Sequence, residues 1–365
     1  MDLGVITPAA PSKPAATAPA DPRIDRLQQL ARLVGRTPLL AITVRLDGQL
    51  RTVYAKAETF NLTGSIKDRM ALQVLSHALQ TGQLPAGALV AEATSGNAGI
   101  ALTAMATALG HPVKIFMPDW MSPERIALMQ LYGAQVELIS HEQGGFLGSI
   151  ARTRELAHTH GHCFLPSQFD NEANALAHER GTAVELMAQL RTRGLQPDAF
   201  IAGVGTGGTV LGVSRHFGRV CPQARVHPLE PAESPTLSTG HKVGKHRIQG
   251  ISDEFIPALC RLDQLAPVVA VHDGDAIVLA QRLARELGLG VGVSSGANLL
   301  GALKVQQTLD PKAVVCTVLC DDNKKYLSTD LCRTEPLREG YLSPRIELLG
   351  FESIDCPAVE PPLPA

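Results

Sequence analysis

Short apolar runs alternate with longer segments of helical period along most of this chain. Val113 to Met117 follows a Gly110-His111-Pro112 turn and reads as a buried strand. Ser122-Pro123-Glu124 then supplies an N-cap, a first-position proline and a first-turn acid, which opens a helix towards Leu131. Gly133-Ala134 stops it, and Val136 to Ile139 is the next strand. The alternation returns with a strand at Ala199 to Val204, a helix at Gly208 to Phe217, and strands at Arg225 to Leu229 and Val268 to Val271. Asp273 to Leu287 sets Ile277, Leu279, Leu283 and Leu287 at helical spacing, and Ala313 to Leu319 is a late buried strand. Strands and helices in alternation predict an α/β fold with parallel sheets covered by helices on both faces. Pro166 to Asn171 separates two such blocks, so a domain boundary falls near residue 170.

Composition narrows the function. With 33 Lys and Arg against 35 Asp and Glu, the net charge is −2, and no basic surplus exists to neutralise nucleic-acid phosphates. A hydrophobic content of 45 % excludes a disordered chain and supplies ample core for 365 residues. No run approaches the roughly 18 apolar residues that span a bilayer, so no membrane partner is expected. Met1 to Pro22 lacks the charged start and apolar stretch of a signal peptide and reads as a flexible tail. Residues 355–365, rich in proline, read as another. The seven cysteines are irregularly spaced and odd in number, which fits a reduced, cytoplasmic protein better than a disulfide framework. Cys316 and Cys320 sit in an apolar run as buried small side chains. His158, His160, His162 and Cys163 bridge a helix end and a strand start, so no helix face collects them and no metal is expected.

Candidate chemistry lies in three loops, each leading into a helix. In Asn61-Leu62-Thr63-Gly64-Ser65-Ile66-Lys67-Asp68-Arg69, Ser65 can cap a helix whose first turn holds Lys67, where the helix dipole disfavours a cation. Such an amine suits Schiff-base chemistry, although a plain exposed lysine would also satisfy the segment. Ala93-Thr94-Ser95-Gly96-Asn97-Ala98-Gly99 offers amides and hydroxyls at a helix start, either as a cap or as a site for a small carboxylate. Gly203-Val204-Gly205-Thr206-Gly207-Gly208-Thr209 is a turn whose amides can hold a phosphate. It also satisfies the dinucleotide fingerprint, with Glu230 following at a strand end, so a nicotinamide dehydrogenase competes at this stage.

Taken together, these segments resemble the fold-type II pyridoxal-phosphate enzymes, and within them the cysteine synthase and cystathionine β-synthase group. The resemblance runs from Leu33-Val34-Gly35-Arg36-Thr37-Pro38-Leu39 to Tyr326-Leu327-Ser328-Thr329 and covers about four fifths of the chain. It rests on the three loops in combination, with further matches at Gln168-Phe169-Asp170-Asn171, Glu230-Pro231, His246 to Ile251 and Ser294-Ser295-Gly296-Ala297. It implies two three-layer α/β/α domains with mostly parallel sheets, as in tryptophan synthase β, and a cofactor in the cleft between them. The smaller would take residues 60–170, and the larger 23–59 plus 171–350.

The resemblance also implies roles. Lys67 would hold pyridoxal 5′-phosphate as an internal aldimine and later move protons at the substrate Cα. Asn97 would bond the 3′-oxygen, and Gly205, Thr206, Gly207, Gly208 and Thr209 would cradle the phosphate. Thr94, Ser95, Gly96 and Gln168 would grip the substrate carboxylate, and Gly250 would face its amine or side chain. The implied reaction is β-replacement on O-acetyl-L-serine through an aminoacrylate, with sulfide adding to give L-cysteine, in a homodimer acting on small amino acids. Cysteine β-elimination releasing H₂S, replacement by another nucleophile such as homocysteine, and a non-catalytic regulatory relative stay open.

Three departures from the family pattern stand out. Asp322 lies four residues before Tyr326, where Ser usually meets the pyridine nitrogen; a carboxylate there would keep that nitrogen protonated. Alternatively both Asp321 and Asp322 cap the next helix. Ala98 replaces a customary Thr in the carboxylate loop. Asp253 and Glu254, before Phe255-Ile256-Pro257, replace a neutral stretch and offer an acid or base to a thiol, or else remain surface residues.

Overall fold

A computed structural model of the chain describes residues 21–252 and 254–358. The expected tails therefore lie mostly outside the described residues. The exceptions are Asp21 and Pro22, which cap and open the first helix, and 355–358.

The strands are β1 (Leu39–Leu46), β2 (Gln49–Ala57), β3 (Leu89–Ala93), β4 (Val113–Pro118), β5 (Gln135–Ile139), β6 (Cys163–Phe164), β7 (Ala199–Gly203), β8 (Arg225–Pro231), β9 (Val269–Val271), β10 (Val315–Leu319) and β11 (Ile346–Ile354). The helices are α1 (Pro22–Ala31), α2 (Lys67–Gln80), α3 (Asn97–Ala108), α4 (Pro123–Leu131), α5 (Gly145–Thr159), α6 (Glu172–Ala177), α7 (Ala183–Arg191), α8 (Gly208–Val220), α9 (Thr236–Thr239), α10 (Asp273–Leu287) and α11 (Val293–Gln307).

Two sheets form. The larger has the order β11-β1-β2-β10-β7-β8-β9 and the smaller β5-β4-β3-β6. The smaller sheet is parallel throughout, as are the larger sheet's pairings from β2 to β9. Strands β7 and β10 are buried along nearly their whole length, which is why they read as unbroken apolar runs. The edge is different. β1 pairs antiparallel with both β2 and β11, and its burial alternates, with Ile42, Val44 and Leu46 inside.

Helices cover both faces of the larger sheet. Helices α10 and α11 share one apolar cluster with it, through Ile277, Leu283, Leu300 and Leu303. Helices α7 and α8 share another, through Leu186, Leu190, Val213 and Phe217. Helices α2, α3 and α4 pack with the smaller sheet through Leu75, Ile100, Met105 and Met129. The loops that leave the carboxyl ends of β3, β7 and β10 converge on one crevice, the usual ligand position in open α/β sheets. Among the described residues no helix is long and apolar enough to cross a membrane.

Candidate active site

The first loop is shaped by its own acid. The Asp68 carboxylate accepts bonds from Thr63 N (2.8 Å) and Thr63 Oγ1 (2.6 Å), which fixes the turn ahead of α2. Ser65 Oγ accepts from Lys67 N at 3.3 Å, and Ile66 N donates to Cys320 O at 2.8 Å. Lys67 thus opens α2 while its loop is pinned to the exit of β10. Its side chain lines the crevice beside Asn97, Ser294 and Cys320. Burial pushes the Cys320 thiol up to about 11, with Asp321 adding to the shift. The thiol therefore stays protonated and is hydrogen-bonded by Asn298 and Ser294.

The second loop is held from behind. Gly96, with φ +152°, lies so close to the Arg125 side chain that a Cβ would overlap it. Arg125 is buried; its Nη1 donates to Ser95 O at 2.7 Å and its Nε to Ser122 Oγ at 2.8 Å. Thr94 Oγ1 accepts from Gly96 N. Gln168 is tied to the same loop, since its Nε2 donates to Ala93 O at 2.9 Å. Below them lies Glu92. Its carboxylate accepts from Ala93 N and Gln168 N, yet burial, with Asp170 nearby, raises its pKa to about 7.

The third loop runs from β7 into α8. Gly207 has φ +83°, and a Cβ there would meet the Cys260 backbone at 2.8 Å; a Cβ on Gly208 would overlap Asn174 Oδ1. The turn into α8 is therefore closely packed against Cys260 and Asn174 with no room for a side chain, and Gly208 N donates to Thr206 Oγ1 at 3.3 Å. Asn174 joins two of the loops, donating to Thr206 Oγ1 (2.9 Å) and to Gln168 O (2.8 Å). Behind Thr209, His178 sits in a π-helical turn, His178–Thr182. Burial and the charges of Lys67 and Arg69 lower its pKa to about 3, so it is neutral.

Most of the residues picked from sequence meet here. Lys67, Thr94, Ser95, Asn97, Gln168, Gly205, Thr206, Gly207, Thr209 and Gly250 line the crevice, and Gly96 and Gly208 belong to the same two turns. Asp322 does not line it. Its Oδ1 accepts from Lys324 N at 3.0 Å and its Oδ2 lies 3.5 Å from Lys325 Nζ, so it caps the 3₁₀ turn Asn323–Tyr326. The pyridine-nitrogen contact expected of Asp322 is not available from this position. Successive side chains leaving an extended strand face opposite ways, and it is Asp321 that turns inward. Asp321 accepts from Asn97 Nδ2 at 2.6 Å and from the Tyr326 hydroxyl.

Glu254 pairs with Lys242 at 2.9 Å in an outer vestibule, away from Lys67. Asp253 lies outside the described residues. Glu230 accepts from Leu237 N and Ser238, so the acid of the dinucleotide fingerprint is spent on its own loop. Among the described residues all seven cysteines are unpaired, and no three His, Cys, Asp or Glu gather into a metal-binding group. Sequence reasoning missed Arg125, Asn174, His178 and Asp321. Each acts from behind a loop, and only Asp321 adjoined a residue already under suspicion.

Comparison with known proteins agrees with this geometry. The family model described as "Pyridoxal-phosphate dependent enzyme" matches residues 30–321. A probable cysteine synthase of Bacillus subtilis is 41 % identical over 301 residues, covering 82 % of this chain and 96 % of that protein. The crystal structure of a hydrogen sulfide-producing enzyme from Fusobacterium nucleatum is 51 % identical, with a TM-score of 0.88, and the match covers 91 % of this chain and 99 % of that one. An O-ureido-L-serine synthase structure is 34 % identical, with a TM-score of 0.78 over 86 % of this chain and 98 % of that one.

Proposed function

Because the chain belongs to the pyridoxal-phosphate dependent enzymes, we propose that it makes L-cysteine from O-acetyl-L-serine and sulfide by replacement at the β-carbon. The observation that carries this reading is the meeting of Lys67, Asn97 and the glycine turn 205–209 on one crevice. The residues fit the coenzyme. A primary amine shares the crevice with a glycine turn too tightly packed to admit a Cβ at Gly205, Gly207 or Gly208, and Asn97, on the same wall, has its Oδ1 buried without a partner. Lys67 would hold the aldehyde carbon and residues 205–209 the phosphate, and Ser294, whose hydroxyl bonds the Cys320 thiol, stands on the wall beside them.

When bound, the coenzyme supplies the electron sink that makes loss of an α-proton feasible. The chain supplies the rest. Thr94, Ser95, Gly96 and Gln168 orient the substrate carboxylate with neutral donors, and Arg125 holds that loop in place. Gly250 presents its backbone to the substrate amine. Once released by the substrate amine, the Lys67 ε-amine takes the proton from Cα and returns it when the nucleophile has added. Overall, O-acetyl-L-serine and H₂S give L-cysteine and acetic acid.

A second reading has its own support in the hydrogen sulfide-producing relative. L-Cysteine and water would give pyruvate, ammonia and H₂S, with Asp253 as the acid or base towards the departing thiol. We place either reaction in the cytoplasm, given the unpaired thiols, and in a homodimer whose domains 60–170 and 23–59 with 171–350 close on the substrate.

The test pairs O-acetylserine with sulfide, and separately supplies L-cysteine alone, with products read by mass. Cysteine formed faster than H₂S is released supports replacement; the reverse rates support elimination. Turnover of neither mixture by yellow, coenzyme-loaded protein would overturn both.

A further inference from the structure

Asp321 and Asn97 together make an arrangement that the family resemblance does not supply. Asp321 is wholly buried where the chain leaves β10, and its backbone is fixed by a bond from Gly292 N (3.1 Å) and a bridge to Ser65. Its Oδ2 takes one hydrogen of Asn97 Nδ2 at 2.6 Å. The Tyr326 hydroxyl donates to the same oxygen and bonds the Asn97 side chain as well. A hydroxyl that has given its only hydrogen to Asp321 can only accept from Asn97. Both Nδ2 hydrogens of Asn97 are thereby engaged on the Asp321 side. A carboxylate has no hydrogen to give, so the amide cannot be turned end for end without setting oxygen against oxygen. The amide's other polar atom, Asn97 Oδ1, is buried without a partner, and Asn97 lies on the crevice wall.

We propose that Asp321 is a positioning residue that holds Asn97 as a hydrogen-bond acceptor towards the coenzyme's 3′-oxygen, favouring the form that keeps its proton there. This rests on the pyridoxal-phosphate reading above and assigns the sense of one of its contacts. A buried acceptor left without a hydrogen is costly, so the 3′-hydroxyl form, which can donate, is the better partner. The arrangement biases the resting coenzyme away from its visible-absorbing 3′-oxyanion form.

The test is the absorption spectrum of holoenzyme at one fixed pH, read as the ratio of the visible band to the near-ultraviolet band. Asp321→Ser releases Nδ2, the amide turns, and the ratio rises by roughly two- to tenfold, the range one neutral hydrogen bond supplies. Asp321→Asn keeps a carbonyl acceptor at the same place, so its ratio stays within about twofold of the parent. Tyr326→Phe frees one of the two hydrogens and serves if Asp321→Ser does not fold; its ratio rises in the same direction. An unchanged ratio in Asp321→Ser, or in Tyr326→Phe where that variant stands in, overturns the proposal. So does an Asp321→Asn ratio that moves as far as Asp321→Ser, since charge rather than hydrogen-bond direction would then be the cause. Failure of the parent protein to take up coenzyme would instead overturn the functional reading.

Discussion

At the scale of single residues, the strongest constraint lies beneath the substrate loop. Glu92 is enclosed, its proton is held to about pH 7, and backbone N–H groups of Ala93, Ser167 and Gln168 pull in the opposite direction. Asp170 and Arg154 are the charged groups that line the small cavity beside it. An unfolded chain would release this proton near 4.5. The native state therefore binds the proton more tightly, and the stability that follows is complete below 4.5. It is lost as pH rises to about 7, by about 3 kcal/mol in all. Glu92→Gln carries no such proton. Urea denaturation at pH 5 and pH 8 should show the parent losing stability relative to Glu92→Gln at the higher pH. Equal pH dependence in the two proteins would show that Glu92 is ionised throughout. The sequence exposes this residue poorly, because a glutamate inside an apolar strand carries no motif. It exposes Lys67 well, because a cation at a helix start opposes the dipole and so calls for a reason. Asp321 was hidden by one position, since the side on which a strand-end residue emerges depends on strand register, which spacing from Tyr326 does not fix.

At the scale of elements, the glycine turn and the helices packed behind it form one unit. Gly208 opens α8 against Asn174 of α6, and Gly212 on the next turn lies against the Ala175 carbonyl and His178. Gly208→Ala would drive a methyl group into the Asn174 amide, which ties the turn to Gln168. The phosphate grip should loosen while the helix survives, since alanine favours helix. Titration of apoprotein with pyridoxal phosphate, followed by absorbance, should show affinity reduced at least about tenfold, equivalent to about 1.4 kcal/mol. Unaltered affinity would mean that the turn does not carry the phosphate. This unit was readable because every signal in it is local: a buried strand, glycines, then a helical period. The antiparallel edge was not, although β1 alternates in burial as a half-exposed strand should. Its partner β11 pairs Leu39 with Ile354, near opposite ends of the described chain, and no local pattern announces that match.

At the scale of the whole molecule, a buried ionic cluster fixes where Lys67 stands. Arg69, two residues beyond it on α2, bonds Glu58 beyond β2 and Glu185 on α7, and Lys56 on β2 bonds Glu185 at 2.8 Å. Breaking such a buried set by removing one partner typically costs about 3–5 kcal/mol, so α2 is firmly seated on the larger sheet. With α2 fixed, the amine of Lys67 faces a turn contributed from far along the chain, and the remaining loops close around the same space. The account stands on that one amine. Holoenzyme reduced with borohydride and then digested should yield a single peptide bearing the pyridoxyl-phosphate mass, the one containing Lys67, with the visible band abolished. A label on Lys56, on Lys325 or on no lysine at all would contradict it.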